Sequence, residues 1–455
     1  MQQDYSSLIV RRCDKAMAFF FYALIYFLPI STAIIEWCFC LTLLSYLVKR
    51  GVIFYDRVRE EIRRRERVES WDKIRLFFQS YQPVNDALNK PLGIFLLIAF
   101  LSVLFSIDGG LSLKGFVFKL LENVFIYFFF IEVIHSRKRL KIFFSVFLIS
   151  FTLIVTNGIF QYFIREEFIH HQPITDGRIT SSFNHANDFA GYLLVLLPCL
   201  LNFSWIRYLK AGGIKTFSQE TRKSPYGFFV SDKFCYGVTF LGIFTVICLG
   251  LTFSRAAWLA FGGSLLILSF RNKRILAFFL LLIILFSVIF IPKMIKERQS
   301  NIHNRMGFLA MSSRPIYWRE AFELIKERPV LGVGLNAYTL ASSQHRFSGY
   351  PHNSYLQMAA ETGIVGLLSF LWIINVFFDT GFSQLKKIKD PFAAELLLGL
   401  LAGFSGFLIQ SYFDTNFYSG KLSILMWVVM GLIAAIPKIE AAGAVCPVRT
   451  VGNKE

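Results

Sequence analysis

Charge is scarce in this chain of 455 residues: 17% are Asp, Glu, Lys or Arg, against 55% hydrophobic and 17% aromatic. An ordinary soluble globule carries about a quarter of its residues as charges, so that class is excluded. Cysteine is also sparse and badly placed for cross-linking. Of the seven cysteines, Cys38, Cys40, Cys199 and Cys248 fall in apolar segments, and Cys13, Cys235 and Cys446 lie at or near one face. Neither a disulfide framework nor a thiolate metal site is expected. A cleavable leader is likewise not evident, because the first apolar segment after "RRCDK" runs directly into a second one and reads as an anchor.

What is present is a succession of apolar segments. Roughly 17 to 22 such residues cross about 30 Å of hydrocarbon at 1.5 Å per residue, and backbone polar groups in lipid must be bonded within the segment, so the segments are helices. Spans are expected near 16–31, 33–48, 91–107, 116–134, 141–162, 188–206, 234–253, 255–270, 274–292, 357–378, 392–412 and 422–437. The reading is an all-α polytopic membrane protein with about twelve transmembrane helices, a single integral-membrane domain over 1–455. Pro29 and "PISTAI" leave a tight connection between the first two spans, and one bent helix there would give eleven.

The net charge of +18 follows the loops rather than forming a nucleic-acid patch. With the N-terminus inside, 33 of the 48 Lys and Arg stand in inside segments. The short outside loops carry five: Lys114, Arg165, Arg178, Arg255 and Lys421. This bias orients the chain with both termini cytoplasmic. Residues 51–90 are expected to be a cytoplasmic basic amphipathic segment, with "DRVREEIRRRERVESWDKIRLFF" lying on the anionic inner surface, so membrane lipids are partners and nucleic acid is not. Residues 293–356 form one long outside loop between spans 9 and 10. Within it "PIYWREAFELIKER" is predicted as an amphipathic helix presenting Ile316, Trp318, Ala321, Phe322 and Ile325 along one flank.

The outside face gathers the chemistry. Arg178 precedes the polar stretch "ITSSFNHANDFAGYL", with Asn184 and Asn187, and Arg255 sits in the hairpin "TFSRAAW". An arginine at a helix end commonly serves as a snorkelling anchor. Its planar, always-ionised fork also suits a phosphate better than lysine does, and positive residues are otherwise scarce on this face. The long loop ends in "YPHNSYL", where His352 is of the residue type most often used as a base near neutrality, and Asn353 suits a helix cap. His170 and His171 lack further ligands at metal spacing. "GVGLNAY" lacks the strand, third glycine and lysine of a nucleotide loop and reads as a turn. Lys119 and Glu122, spaced i to i+3 within a span, can pair and lock it into the bundle.

"TFSRAAWLA", "RPIYWREAFELIKERPVLGVGLNAY" and "HNSYLQMAAETGIVGL", in this order, together with "GRITSSFNHANDFAGYLL", resemble the O-antigen ligase and polymerase superfamily. The resemblance covers roughly residues 170–440 in motif and the whole chain in topology. It implies a GT-C-like membrane glycosyltransferase of the bacterial inner membrane, with its active site facing the periplasm. Such an enzyme moves a glycan from an undecaprenyl-pyrophosphate carrier to the lipid A-core oligosaccharide, without metal or cofactor. Carried over by motif, Arg178 and Arg255 match the arginines on the donor pyrophosphate, and His352 the histidine that activates the acceptor hydroxyl. Arg314 and Trp318 match a frequent Arg-x-x-x-Trp, and with Asn184, Asn187 and Asn353 they are further candidates for contacting substrate. Metal-dependent GT-C relatives carry Asp-x-Asp in the first outside loop; here that loop is nearly absent and no Asp-x-Asp occurs. His185 in "NHAND" departs from the family pattern.

Three alternatives share the membrane setting. An O-antigen polymerase would use a second lipid-linked glycan as acceptor, and a protein O-oligosaccharyltransferase a protein. Polymerases often show two large outside loops, and this chain's one long loop and one of medium length favour a ligase. A lipid-linked sugar transporter would show internal repeats and more mid-membrane charge than the Lys119 and Glu122 pair.

Overall fold

Segments with apolar runs and almost no internal proline become helices throughout. A computed structural model describes residues 2–65, 69–174, 176–211, 224–269, 314–343 and 349–445, with 284 and 288. The helices are α1 (Gln2–Phe27), α2 (Thr32–Arg65), α3 (Ser70–Tyr81), α4 (Asn89–Leu104) and α5 (Gly109–Gly115). A π-helical turn (Phe116–Leu121) joins α5 to α6 (Glu122–Val133), followed by α7 (Arg137–Ile164), α8 (Ala186–Ala211), α9 (Asp232–Leu251) and α10 (Arg255–Ser269). The remainder are α11 (Arg314–Glu327), α12 (Tyr338–Ser343), α13 (Ser354–Leu385), α14 (Pro391–Ser411) and α15 (Gly420–Val445). Among the described residues there is no strand, only an isolated bridge between Glu166 and Pro173.

Seven of these helices, α2, α7, α8, α9, α13, α14 and α15, are long and apolar enough to cross a membrane, and α4 and α10 are shorter apolar helices. That is the inventory of a multi-pass membrane protein. The predicted spans fall on described helices except 274–292, which lies outside the described residues apart from 284 and 288. The count of twelve therefore rests on the sequence. At Pro29 the chain makes a tight turn, with Phe27 O accepting from the N–H of Ile30 (2.8 Å) and of Ser31 (3.0 Å), so α1 and α2 are separate helices.

α14 is the axis of the bundle, nearly all of its residues buried. Lipid tails are as apolar as leucine, so close packing must hold such helices together. Gly399 and Gly403 provide it. A Cβ on Gly403 would stand 2.1 Å from Val195 O, and one on Gly399 2.7 Å from Cys199 Cα, so only glycine lets α8 approach this closely. Aromatic pairs such as Phe203 and Phe392, stacked at 5.1 Å, add about 0.5–1.5 kcal/mol each.

Residues 51–65 open the stretch expected as a basic amphipathic segment. They continue α2 without interruption, and α3 folds back on that extension, Phe77 against Phe54 at 5.7 Å. The helix has no proline to stop it where the span ends, so the basic stretch prolongs the span.

Candidate functional site

The site is built at the mouth of α13. His352 takes a left-handed backbone (φ 47°), and the next residue reverses to an extended cap. Asn353 Oδ1 accepts from the N–H of Tyr355 (3.0 Å) and of Leu356 (3.1 Å), satisfying two donors that a helix start leaves open. Asn353 serves as this cap and is 1% exposed.

Ser354 then bolts α13 to the loop between α14 and α15. Its N–H (3.1 Å) and Oγ (2.8 Å) both donate to Asp414 O, and its Oγ accepts from Phe417 N (3.3 Å). This places the Asp414 carboxylate 3.6 Å from His352 Nδ1, an electrostatic contact looser than a hydrogen bond. The imidazole is 48% exposed and the carboxylate 11%, so the histidine can meet a ligand while its partner stays covered. Burial alone would raise the Asp414 carboxyl. The His352 imidazole, the Thr415 N–H and Asn187 outweigh it and hold the group below the usual carboxylate value.

From Asp414 a bonded chain runs to Arg178. Asn187 Nδ2 donates to Asp414 Oδ2 at 2.7 Å, and Asn187 Oδ1 accepts from Arg178 Nη2 at 2.6 Å. Gln410 Nε2 steadies Asn187 through its carbonyl (2.9 Å). Arg178 Nε donates to Thr252 O (2.7 Å), three residues before Arg255, which opens α10 exposed. Arg178, Asn187 and His352 are thus brought into one constellation, with Arg255 on the hairpin that anchors it. Asn187 is bonded within the protein at both ends of its amide and so links Arg178 to Asp414. Asn184 is exposed and no bond of this chain passes through it.

α11 lies beside the histidine. Tyr317 meets His352 edge to face at 6.1 Å between ring centres, and Trp318 meets Tyr412 at 5.6 Å. Arg314 is half-buried at the first position of the same helix. The helix buries Glu320, Ala321 and Leu324 against protein, while Ile316 and Phe322 of the predicted apolar flank are exposed.

"GVGLNAY" does more than turn. Inside α13, Gly363 (φ 72°, ψ 176°) breaks the helical ladder, and the segment after α11 docks into the break. Val333 N donates to Ala360 O (2.8 Å), Gly334 N to Glu361 O (3.0 Å) and Ile364 N to Pro329 O (2.8 Å). The buried Glu361 carboxylate takes the N–H of Asn336 at 2.9 Å and Gln357 Nε2 at 3.1 Å. Carbonyls freed by the break thereby regain donors, and α11 is fixed over the site.

Asp414, Gln410, Ser354 and Tyr317 were missed by sequence reasoning. The available signal was "QSYFDTNFYSG", a polar stretch between two apolar spans on the face that carries His352. Among the described residues no group of three or more His, Cys, Asp or Glu side chains is arranged to hold a metal ion.

Residues 240–371 match the family model described as O-Antigen ligase. No curated protein matches the chain. The matched region holds the Arg255 hairpin, α10, α11, the break in α13 and His352, whereas Arg178, Asn187 and Asp414 reach the site from outside it. Over these residues the chain is similar to the O-antigen ligase family.

Proposed function

We propose that the chain is a membrane glycosyltransferase of the GT-C type, an O-antigen ligase of the bacterial inner membrane. It transfers a glycan from undecaprenyl pyrophosphate to the lipid A-core oligosaccharide. The end of the bundle that carries His352 faces the periplasm and both termini are cytoplasmic, a placement supported by the Lys and Arg distribution. The observation that carries the reading is the bonded chain Arg178–Asn187–Asp414 with His352 at its end. It ties an anion-binding group to a base.

The chemistry asks for these two functions. The acceptor hydroxyl loses its proton to His352 Nε2 while its oxygen forms the bond to the anomeric carbon. The bond from that carbon to the pyrophosphate oxygen breaks, and the electron pair leaves on pyrophosphate. Arg178 and Arg255 stabilise that charge. Asp414 holds the imidazole by Nδ1, which leaves Nε2 for the hydroxyl. Attack from the face opposite the leaving group inverts the anomeric centre, and no metal or nucleotide enters the step. Arg314 and Trp318, on the helix whose Tyr317 meets the histidine, contact the acceptor glycan in this reading.

Purified protein supplied with a lipid-pyrophosphate glycan tests this against three acceptors given singly: lipid A-core, a second lipid-linked glycan and an unfolded protein. Transfer to lipid A-core with inverted configuration is expected. Transfer only to the second glycan or only to protein would reassign it within the superfamily, and lipid translocation without any transfer would overturn the enzyme reading.

A further inference from the structure

A cavity of about 490 Å³ opens at the same end of the bundle, lined by α2, the π-helical turn, α13 and α15. Neither His352 nor Asp414 lines it. Its floor is apolar, with Met358, Phe370, Phe417, Ile424 and Trp427, and Phe118, 70% exposed, stands at its mouth. An apolar pocket opening between membrane helices suits an aliphatic chain.

The lining is charged as well, and the charges are sorted. Lys114 and Lys119 lie on one side, where Lys119 Nζ donates to Asn336 Oδ1 at 2.7 Å in place of the expected pairing with Glu122. Glu36 and Glu122 lie together on the other, close enough to repel one another. Lys114, Lys119 and Glu36 are exposed. Glu36, Lys119 and Glu122 stand within predicted spans, and intramembrane charges around an apolar cavity mark ligand positions. The π-helical turn that carries Lys119 is a second mark, since such turns concentrate at functional sites.

We infer that this cavity binds a phospholipid whose head group carries both a phosphate and an ammonium, with an aliphatic chain on the apolar floor. The phosphate meets Lys114 and Lys119, and the ammonium meets Glu36 and Glu122. An anionic head would place its uncompensated charge beside two carboxylates, and a neutral head would offer none of the four an opposite charge. This site is separate from the transfer chemistry and holds whether or not the proposed function does.

The test is lipid retention by the purified full chain, measured by native mass spectrometry after exchange into phosphatidylethanolamine, phosphatidylglycerol or diacylglycerol. Preference for phosphatidylethanolamine by about fivefold is expected, the worth of one favourable ion pair at an accessible site. Glu36→Gln should abolish the preference over phosphatidylglycerol, and Lys114→Met should weaken retention of both phospholipids. Ile424→Trp, filling the floor, should remove retention altogether in protein that still elutes as a folded monodisperse species. Equal retention of the three lipids, tighter binding of phosphatidylglycerol, or an unchanged preference in Glu36→Gln would overturn the assignment. Glu36 is exposed, so that variant keeps the test decisive even where Ile424→Trp fails to fold.

Discussion

At the end of the bundle away from His352, charge meets charge. Lys49 bridges Asp14 (3.1 Å) and Glu132 (2.8 Å), Arg50 takes the other oxygen of Glu132 (2.7 Å), and Arg139 holds the other oxygen of Asp14. Arg137 and Tyr226 share Glu440, and Lys438 meets Asp86 at 3.0 Å. At the His352 end, two cations also make bonds to neutral oxygens. Lys421 donates to the carbonyls of Pro29, Ile30 and Ser182, and Arg178 to a carbonyl and an amide. An ion pair cancels the charge of both partners, whereas a carbonyl or an amide aims a cation without cancelling it. The first arrangement locks helices together; the second fixes the direction in which a cation points.

Substitutions should separate the two ends. The largest effect is expected of His352→Ala, which should lower transfer by roughly 10²–10⁴-fold with donor binding and melting temperature nearly unchanged, read by initial rates beside a donor-binding isotherm. Glu132→Ala should do the opposite. It leaves Lys49 and Arg50 without their shared carboxylate and should cost on the order of 3 kcal/mol of stability, seen in thermal unfolding, while the surviving folded protein keeps its turnover.

Asp414→Asn should reduce transfer by about 10–100-fold, the range for a residue that orients another. The same variant carries a pH signature. The Asp414 carboxyl is held below its ordinary value in the folded chain, so its stabilising share is present above the unfolded carboxylate pKa and is lost as pH falls through the folded one. The melting difference between wild type and Asp414→Asn should be full at pH 7 and shrink only below the ordinary carboxylate range; a difference that grew on acidification would break the pairing. The smallest effect belongs to Asn353→Ala, about 1 kcal/mol from the lost cap, with some loss of transfer because the cap also fixes His352.

Much of the helical layout was legible because length and apolarity are local properties, and α7, α9 and α14 follow directly from them. The extension of α2 was not, since a basic amphipathic stretch reads alike whether it prolongs a span or lies on a surface. His352, Arg178 and Arg255 could be singled out by residue type and side. Asp414 could not, because its meaning comes from Ser354 and His352, some 60 residues earlier in the chain, and nothing in "YFDTN" announces that contact. "ETGIVGL" reads as ordinary helix; the break at Gly363 becomes visible only with the segment that docks into it.

The account's central claim is that Arg178, Asn187, Asp414 and His352 work as one linked unit. Transfer rates for Asn187→Ala, Asp414→Asn and the double variant test it most directly. Linked residues lose their effect together, so the double variant should be about as slow as the slower single variant. Losses that multiply would mean that the two residues act independently and would contradict the linkage.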